Sequence, residues 1–264
     1  MENIIIEGLP GSGKTTLMKS LYEKLDGYQM YLEGDISPIE LAWCSYMTEG
    51  EYRQTLAVFP DLVSEIEKHT VKEENHFIIE YTRIITDTKG FHHYMEQYEI
   101  YNGRRSFNEF KGIILNRLVR FNGTGNLFEC SFFQNIIEEL ILFYRKSEEE
   151  ILDFYRELFT VVGQKNFRLL YLYSDDMEGD VLKIKRERSD INGVEMWFPL
   201  MVKYLNDSPY GKEYEFADIS DIVAHFEKRM ELEIRIIKEI LGKNSLILSA
   251  KAYDIDDVVN QVAG

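Results

Sequence analysis

The sequence is poor in cysteine, in positive charge and in long apolar runs. It contains two cysteines, Cys44 and Cys130, which are too few for a disulfide framework. Lysine and arginine number 30 against 46 aspartate and glutamate residues, so the formal net charge is −16. Because this charge repels phosphate polymers, it argues against a general nucleic-acid binder and against binding to anionic membranes.

No apolar stretch approaches the roughly 20 residues that span a bilayer. The first apolar run, residues 3–6, is interrupted by Glu7 and Gly8, and no basic segment of a signal peptide precedes it. We therefore expect a cytoplasmic protein. Internal repeats and low-complexity tracts are also missing. The chain has 264 residues, of which 45% are hydrophobic and 29% charged, so it can form a sizeable folded core.

The most specific motif is residues 8–15, GLPGSGKT, which match G-x-x-x-x-G-K-[ST] at every fixed position. A short β-branched segment precedes the motif, and residues 16–22 follow it with apolar residues at helical spacing. Strand, glycine-rich turn and helix form the context in which this motif binds nucleoside triphosphates. The glycines let backbone N–H groups face phosphate oxygens, and the N-terminus of the helix adds its dipole.

Two residues of the motif carry specific chemistry. Lys14 is expected to reach the β- and γ-phosphates, and the Thr15 hydroxyl to hold Mg²⁺. We expect ATP and Mg²⁺ as cofactors, since residues 206–208, Asn-Asp-Ser, are not the N-K-x-D signature of guanine binding. The other residues predicted to bind the nucleotide are Gly8, Pro10, Gly11, Ser12, Gly13 and Thr16.

Strand-like and helix-like segments alternate along the chain. Such alternation predicts an α/β protein whose parallel sheet is covered by helices on both faces. Residues 37–120 are too long for a simple crossover, and we interpret them as a mostly helical insert within a single domain. Within it, Ser106 and Glu109 predict a capping box that begins a helix ending near Phe121. Strands are predicted at residues 28–33, 77–81, 126–130, 167–173 and 245–248.

Acidic residues at predicted strand ends are candidates for catalysis, because ligands of open α/β sheets bind at the carboxyl ends of strands. Asp35, and as an alternative Glu33, follows the second strand and could accept a proton from an acceptor hydroxyl. Glu129 ends an apolar strand, where a carboxylate would order water on Mg²⁺. Glu80 could serve in either role.

Basic residues cluster after the strand at 167–173. They lie where a lid over the phosphates is expected, at residues 180–193, and arginine forks match phosphate oxygens. The cluster contains Lys183, Lys185, Arg186 and Arg188. Arg83 is a candidate for contact with an acceptor phosphate. Adjacent histidines, His92 and His93, are predicted to form a surface pair, since no metal-ligating partner sits at a suitable spacing.

The motif at residues 8–15, together with the strand at 170–172 and the basic segment at 183–188, resembles the P-loop nucleoside and nucleotide kinases, in particular deoxynucleoside and thymidylate kinases. The chain is also similar to a group of bacterial P-loop proteins without an assigned function. The resemblance implies a five-stranded parallel sheet in the order 2-3-1-4-5, with a catalytic base near the end of the second strand. It also implies an acid–arginine pair ending the third strand, where this chain has Glu129 followed by Cys130.

The leading hypothesis is an ATP- and Mg²⁺-dependent kinase acting on a hydroxyl or phosphate of a small molecule, such as a nucleoside or nucleotide. Lys14, Asp35, Glu129, Arg186 and Arg188 are its predicted catalytic residues, and Thr15 and Glu129 its predicted metal ligands. The alternatives are a regulatory P-loop ATPase without a small acceptor, and a kinase of antibiotics or sugars. None of these hypotheses involves nucleic acid or a membrane.

Overall fold

The computed structural model describes residues 1–250 and 252–263, with the side chain of residue 263 left out. These residues form two compact units. The first unit comprises Met1–Met30 and Asn122–Gly264, and the second comprises Tyr31–Phe121. Eight strands lie in two separate sheets. In chain order they are β1 (Asn3–Gly8), β2 (Gln29–Tyr31), β3 (Ser45–Thr48), β4 (Thr70–Glu73), β5 (His76–Ile79), β6 (Asn126–Glu129), β7 (Phe167–Tyr173) and β8 (Ser245–Ser249).

The larger sheet is parallel and has five strands in the order β2-β6-β1-β7-β8. Renumbered within the sheet, this order is 2-3-1-4-5, as the resemblance implied. Strand β1 is buried along its whole length, because it has a neighbour on each side and helices cover the sheet. Its register places Ile6 opposite Glu129 on β6 and opposite Leu170 on β7. The end of β6 therefore lies beside the start of the loop that follows β1.

Twelve α-helices are present among the described residues. In the second unit they are α2 (Glu49–Val58), α3 (Val63–Lys68), α4 (Phe91–Glu96) and α5 (Phe107–Arg120). In the first unit they are α1 (Lys14–Lys24), α6 (Gln134–Glu138), α7 (Glu148–Val162), α8 (Met177–Glu187), α9 (Trp197–Asp207), α10 (Gly211–Tyr214), α11 (Ile219–Ile236) and α12 (Ile255–Ala263). None that the structure describes is both long and apolar enough to cross a membrane.

Two helices of the first unit continue into π-helical turns. The helices α6 and α11 each change to a π-helical turn where they end, at Glu139–Phe143 and at Ile237–Leu241. The last helix, α12, was not predicted. Its apolar residues recur at helical spacing, and Val258 and Val262 are buried.

Beside its helices, the second unit contains a small antiparallel sheet that the sequence analysis did not predict. Its order is β3-β5-β4. The strand predicted at residues 77–81 is present as β5, but it pairs with β3 and β4 rather than with the parallel sheet. The capping box at the start of α5 is confirmed: Glu109 Oε2 accepts the Ser106 N–H at 2.9 Å, and Ser106 Oγ accepts the Glu109 N–H at 3.4 Å.

A network of buried charges joins α6, α11 and β7. Arg229 donates to Glu233 Oε1 and to Glu138 Oε1, each at 2.7 Å. His225 Nε2 lies 3.0 Å from Glu138 Oε2, and the Tyr171 hydroxyl donates to Glu233 Oε2 at 2.6 Å. Burial alone would raise the pKa of Glu138, but His225 and Arg229 lower it to about 2. The charges thus compensate one another inside the core of the first unit.

Candidate functional site

The loop between β1 and α1 has a conformation that requires glycine. Gly8 has φ +143°, and a Cβ there would lie 2.6 Å from the carbonyl oxygen of Leu172. Gly11 has φ +83°, and a Cβ there would lie 2.9 Å from Ile184 Cδ1 on α8. Both positions combine a left-handed backbone with close neighbours, so a side chain would displace the loop. The glycines that identified the motif are therefore required by the geometry as well.

Lys14 begins α1, and its ammonium group folds back over the loop. Its Nζ donates to the carbonyl oxygens of Gly8, at 2.7 Å, and Leu9, at 3.1 Å. The side chain is buried. Gly13, the N-cap residue, supplies no side-chain acceptor to the first turn of α1, so the N–H groups of that turn are not capped by it. A positive charge and the N-terminus of a helix thus lie together at the loop, which favours an anion.

Ser12 gives independent support for an anion at the loop. Its hydroxyl oxygen is buried and has no hydrogen-bond partner among the described residues. Leaving a buried polar group unpaired costs about 1–3 kcal/mol. A phosphate oxygen would accept a hydrogen bond from the Ser12 hydroxyl and remove this cost. The residues present therefore fit the phosphates of a nucleotide.

The oxygen atoms of Thr15 and Glu129 meet beside the loop. The Thr15 hydroxyl on α1 donates to the Glu129 carboxylate at the end of β6. Hydroxyl and carboxylate oxygens suit Mg²⁺, which usually takes one or two protein ligands and completes its shell with phosphates and water. No group of three or more His, Cys, Asp or Glu residues in the described ranges could hold a metal ion. The pair therefore fits a magnesium ion shared with a bound nucleotide.

The chain turns sharply after Glu129. Cys130 has φ +56°, its N–H donates to the Ile6 carbonyl oxygen at 3.2 Å, and its Sγ lies 3.3 Å from Gln134 Oε1. Its side chain is buried. Where the resemblance implies an arginine, the structure has a buried thiol, so this position supplies no cation for a phosphate.

Glu7, which the sequence analysis did not select, is a fully buried carboxylate directly before the loop. Its oxygens accept the backbone N–H groups of Phe132, at 2.6 Å, Phe133, at 2.9 Å, and Gln134, at 3.3 Å. Burial raises the pKa of the Glu7 carboxyl to about 7, although the N–H bonds from Phe133 and Phe132 act in the opposite direction. The signal in the sequence was a single acid at the end of an otherwise apolar strand.

Helix α8 brings the basic segment to the loop between β1 and α1, because its Ile184 packs against Gly11. Lys183 pairs with Glu187 at 3.8 Å, and Lys185 pairs with Glu195 at 3.5 Å. In contrast, the exposed guanidinium groups of Arg186 and Arg188 have no hydrogen bond or ion pair in the structure as described. Each of the other arginines in the described ranges has at least one such partner, the full set being Arg53, Arg83, Arg104, Arg105, Arg117, Arg120, Arg145, Arg156, Arg168, Arg229 and Arg235.

A closed turn follows α8 within the predicted lid. Ser189 and Glu195 form an antiparallel bridge. The Asp190 N–H donates to the Val194 carbonyl oxygen at 2.8 Å, and Asp190 Oδ1 accepts the N–H groups of Asn192, at 2.8 Å, and Val194, at 2.7 Å. The segment is therefore a defined turn rather than an irregular loop.

The candidate base residues lie in the second unit. Strand β2 ends at Tyr31, so Glu33 and Asp35 belong to the following turn. Arg83 forms an ion pair with Asp35, and its Nε lies 3.8 Å from Glu80 Oε1. Glu33 Oε1 accepts the indole N–H of Trp43 at 3.2 Å. The structure thus groups Asp35, Glu80 and Arg83, which were selected separately, and it gives each of the three carboxylates a partner within the unit.

His92 and His93, the adjacent histidines of α4, are both exposed, as predicted for a surface pair. His92 Nε2 lies 3.1 Å from the Ile84 carbonyl oxygen, and His93 Nδ1 lies 3.5 Å from Glu96. Both contacts are local, within the second unit.

Comparison with known proteins does not extend this description. No protein-family model matches the chain, and no curated protein matches it. The protein has an α/β fold whose parallel sheet has the strand order of a P-loop-like fold.

Proposed function

We propose that the protein is an ATP- and Mg²⁺-dependent phosphotransferase that acts on a hydroxyl or phosphate group of a small molecule. The observation that carries this proposal is the assembly at the loop after β1. There the buried Lys14 ammonium, the unpaired Ser12 hydroxyl and the Thr15–Glu129 pair lie together. These groups suit the phosphates of a nucleoside triphosphate with its metal ion.

Each residue has a distinct role in the proposed reaction. The loop amides, the Ser12 hydroxyl and Lys14 bind the phosphates, while Thr15 and Glu129 provide oxygen ligands for the metal. Bound Mg²⁺ supplies charge neutralisation at the phosphate oxygens. Arg186 and Arg188 stabilise the negative charge that spreads over the transferred group. Asp35 is the proposed base for the acceptor hydroxyl, with Glu33 and Glu80 as the alternatives.

The test is ATP consumption by the purified protein against nucleosides, nucleoside monophosphates, sugars and aminoglycosides. Lys14→Ala serves as the inactive variant, and Lys19→Ala is the matched control, because Lys19 is an exposed lysine on the same helix. We expect one acceptor class to stimulate turnover in the wild type and in Lys19→Ala, and Lys14→Ala to lose that turnover by at least about 100-fold.

Other outcomes have definite meanings. Full turnover in Lys14→Ala would contradict the proposed role of the loop. ATP binding that depends on Lys14, without stimulation by any acceptor, would favour a regulatory ATPase over a kinase. Stimulation by sugars or aminoglycosides alone would assign the acceptor to the antibiotic or sugar class.

A further inference from the structure

Glu7 connects the loop that leads to Thr15 with the turn that follows Glu129, and these two residues are the proposed metal ligands. It is the last residue but one of β1, directly before Gly8, and its side chain is fully buried. Three backbone N–H groups from residues 132–134 converge on its carboxylate at 2.6–3.3 Å. Those residues begin three positions after Glu129. One carboxylate therefore links the start of the phosphate loop to the turn that follows the metal-binding acid.

The turn after Glu129 depends on such contacts for its shape. It includes the left-handed Cys130, and non-glycine residues adopt this conformation at an energetic cost. The Cys130 N–H is held by the Ile6 carbonyl oxygen, and the Phe132 carbonyl oxygen accepts the Tyr155 hydroxyl proton at 2.6 Å. The N–H groups of residues 132–134 in this turn donate to the Glu7 carboxylate. Without an acceptor at the position of the Glu7 side chain, these buried N–H groups would have no hydrogen-bond partner.

We propose that Glu7 is a positioning residue for the metal site, one that fixes the direction in which Glu129 points towards Thr15. The proposal rests on the function proposed above, because it concerns the magnesium site assigned there. Groups that orient metal ligands from outside the first coordination shell typically contribute about 10–100-fold to metal affinity. The hydrogen bonds that Glu7 accepts come from backbone N–H groups of residues 132–134, so its effect on Glu129 is exerted through the backbone of the turn.

The geometry explains why a carboxylate suits this position. Its two oxygens together offer acceptors for three N–H donors, and negative charge is favourable beside the first N–H groups of a helix. A glutamine of the same size keeps one acceptor oxygen but replaces the other with an NH₂ group, which faces N–H donors. Glu7→Gln should therefore preserve the volume of the core while it loosens the turn.

The experiment compares ATP affinity with Mg²⁺ and with a chelator in the wild type, Glu7→Gln and Glu40→Gln. Glu40 is the matched control, since it is also a buried carboxylate that accepts a backbone N–H, that of Ala42, but it lies in the second unit. We expect the ATP affinity of Glu7→Gln in the presence of chelator to stay within about twofold of the wild type. The factor by which Mg²⁺ increases ATP affinity should be about tenfold or more smaller in Glu7→Gln. Glu40→Gln should keep the whole gain.

A double variant separates positioning from general loosening of the fold. In a Glu129→Gln background, adding Glu7→Gln should cause little further loss of the Mg²⁺-dependent gain, because both changes act on the same contact. If Glu7→Gln does not fold, Glu7→Asp replaces it, since aspartate keeps the charge on a shorter side chain and should give a partial loss.

The possible failures are distinguishable. An unchanged Mg²⁺-dependent gain in Glu7→Gln would overturn the role of Glu7 and leave the proposed function intact. Equal losses with and without Mg²⁺ would also overturn it, because they would indicate a structural role only. If the wild type itself gained no affinity from Mg²⁺, the proposed metal site and the role of Glu7 would both be wrong.

Discussion

Glu40 illustrates, at the scale of single residues, how burial turns a carboxyl into a pH-dependent element of stability. Its side chain is 3% exposed, and both of its oxygens lie 2.7 Å from the Ala42 nitrogen. Burial raises the pKa of Glu40 to about 7, although the Ala42 N–H bond lowers it. Since the folded protein keeps a proton that the unfolded chain releases, this group makes stability fall as pH rises from about 4.5 to 7.

We predict that Glu40→Gln gains stability relative to the wild type as pH rises from 5 to 7.5, because glutamine does not ionise. The unfolding free energy of Glu40→Gln minus that of the wild type should be larger at pH 7.5 than at pH 5, by at most about 3 kcal/mol. Urea unfolding in a Trp197→Phe background measures it, since the remaining tryptophan, Trp43, reports on the second unit. A difference that stays the same at both pH values would contradict the prediction.

Helix α8 matters at the scale of elements because it has a buried side and an exposed basic end. Its buried side, which includes Val181 and Ile184, packs into the core of the first unit. Residues near its C-terminal end are exposed, and Arg186 and Arg188 there lack the partners that other arginines have. An unpaired guanidinium group on the surface contributes little to stability but remains available for a phosphate.

We predict that Arg186→Ala combined with Arg188→Ala lowers kcat of the proposed transfer by about 100-fold or more. The unfolding free energy should change by no more than about 0.5 kcal/mol, because neither side chain holds a partner. Arg156→Ala is the control, an arginine of α7 that is paired with Asp153 on the protein surface. Normal turnover in the double variant, measured with saturating ATP and acceptor, would exclude a role for the pair.

The net charge of −16 acts at the scale of the whole molecule. Many surface carboxylates have a basic partner, but each exposed pair contributes only about 0–1 kcal/mol. The excess of negative charge repels itself in the compact state, and the repulsion is reduced when salt shortens the screening length. Salt should therefore weaken the repulsion more than it weakens the favourable pairs.

We predict that raising NaCl from about 20 mM to about 200 mM increases the thermal unfolding midpoint by a few degrees. The same change with KCl should have the same effect, because screening does not depend on the identity of the cation. Calorimetry or circular dichroism measures the midpoint. A decrease would show that surface ion pairs outweigh the self-repulsion.

The sequence by itself determined the features that depend on neighbours along the chain. The phosphate loop, the strands β1 and β7 and the capping box at Ser106 were predictable, because glycine spacing, apolar runs and N-cap chemistry are local. The order of the parallel sheet was implied by the resemblance of the chain to P-loop nucleoside and nucleotide kinases. These elements identify the fold and the position of the candidate phosphate site.

Tertiary structure alone decided the contacts between residues far apart in sequence. It placed β5 in a second sheet, joined Asp35 with Glu80 through Arg83, and surrounded Glu7 with N–H groups from residues 132–134. Each contact depends on strand order and on which groups lose water when the core forms, and neither can be read from local spacing. For the same reason, the sequence showed four basic residues near α8, and only the folded chain showed which two lack partners.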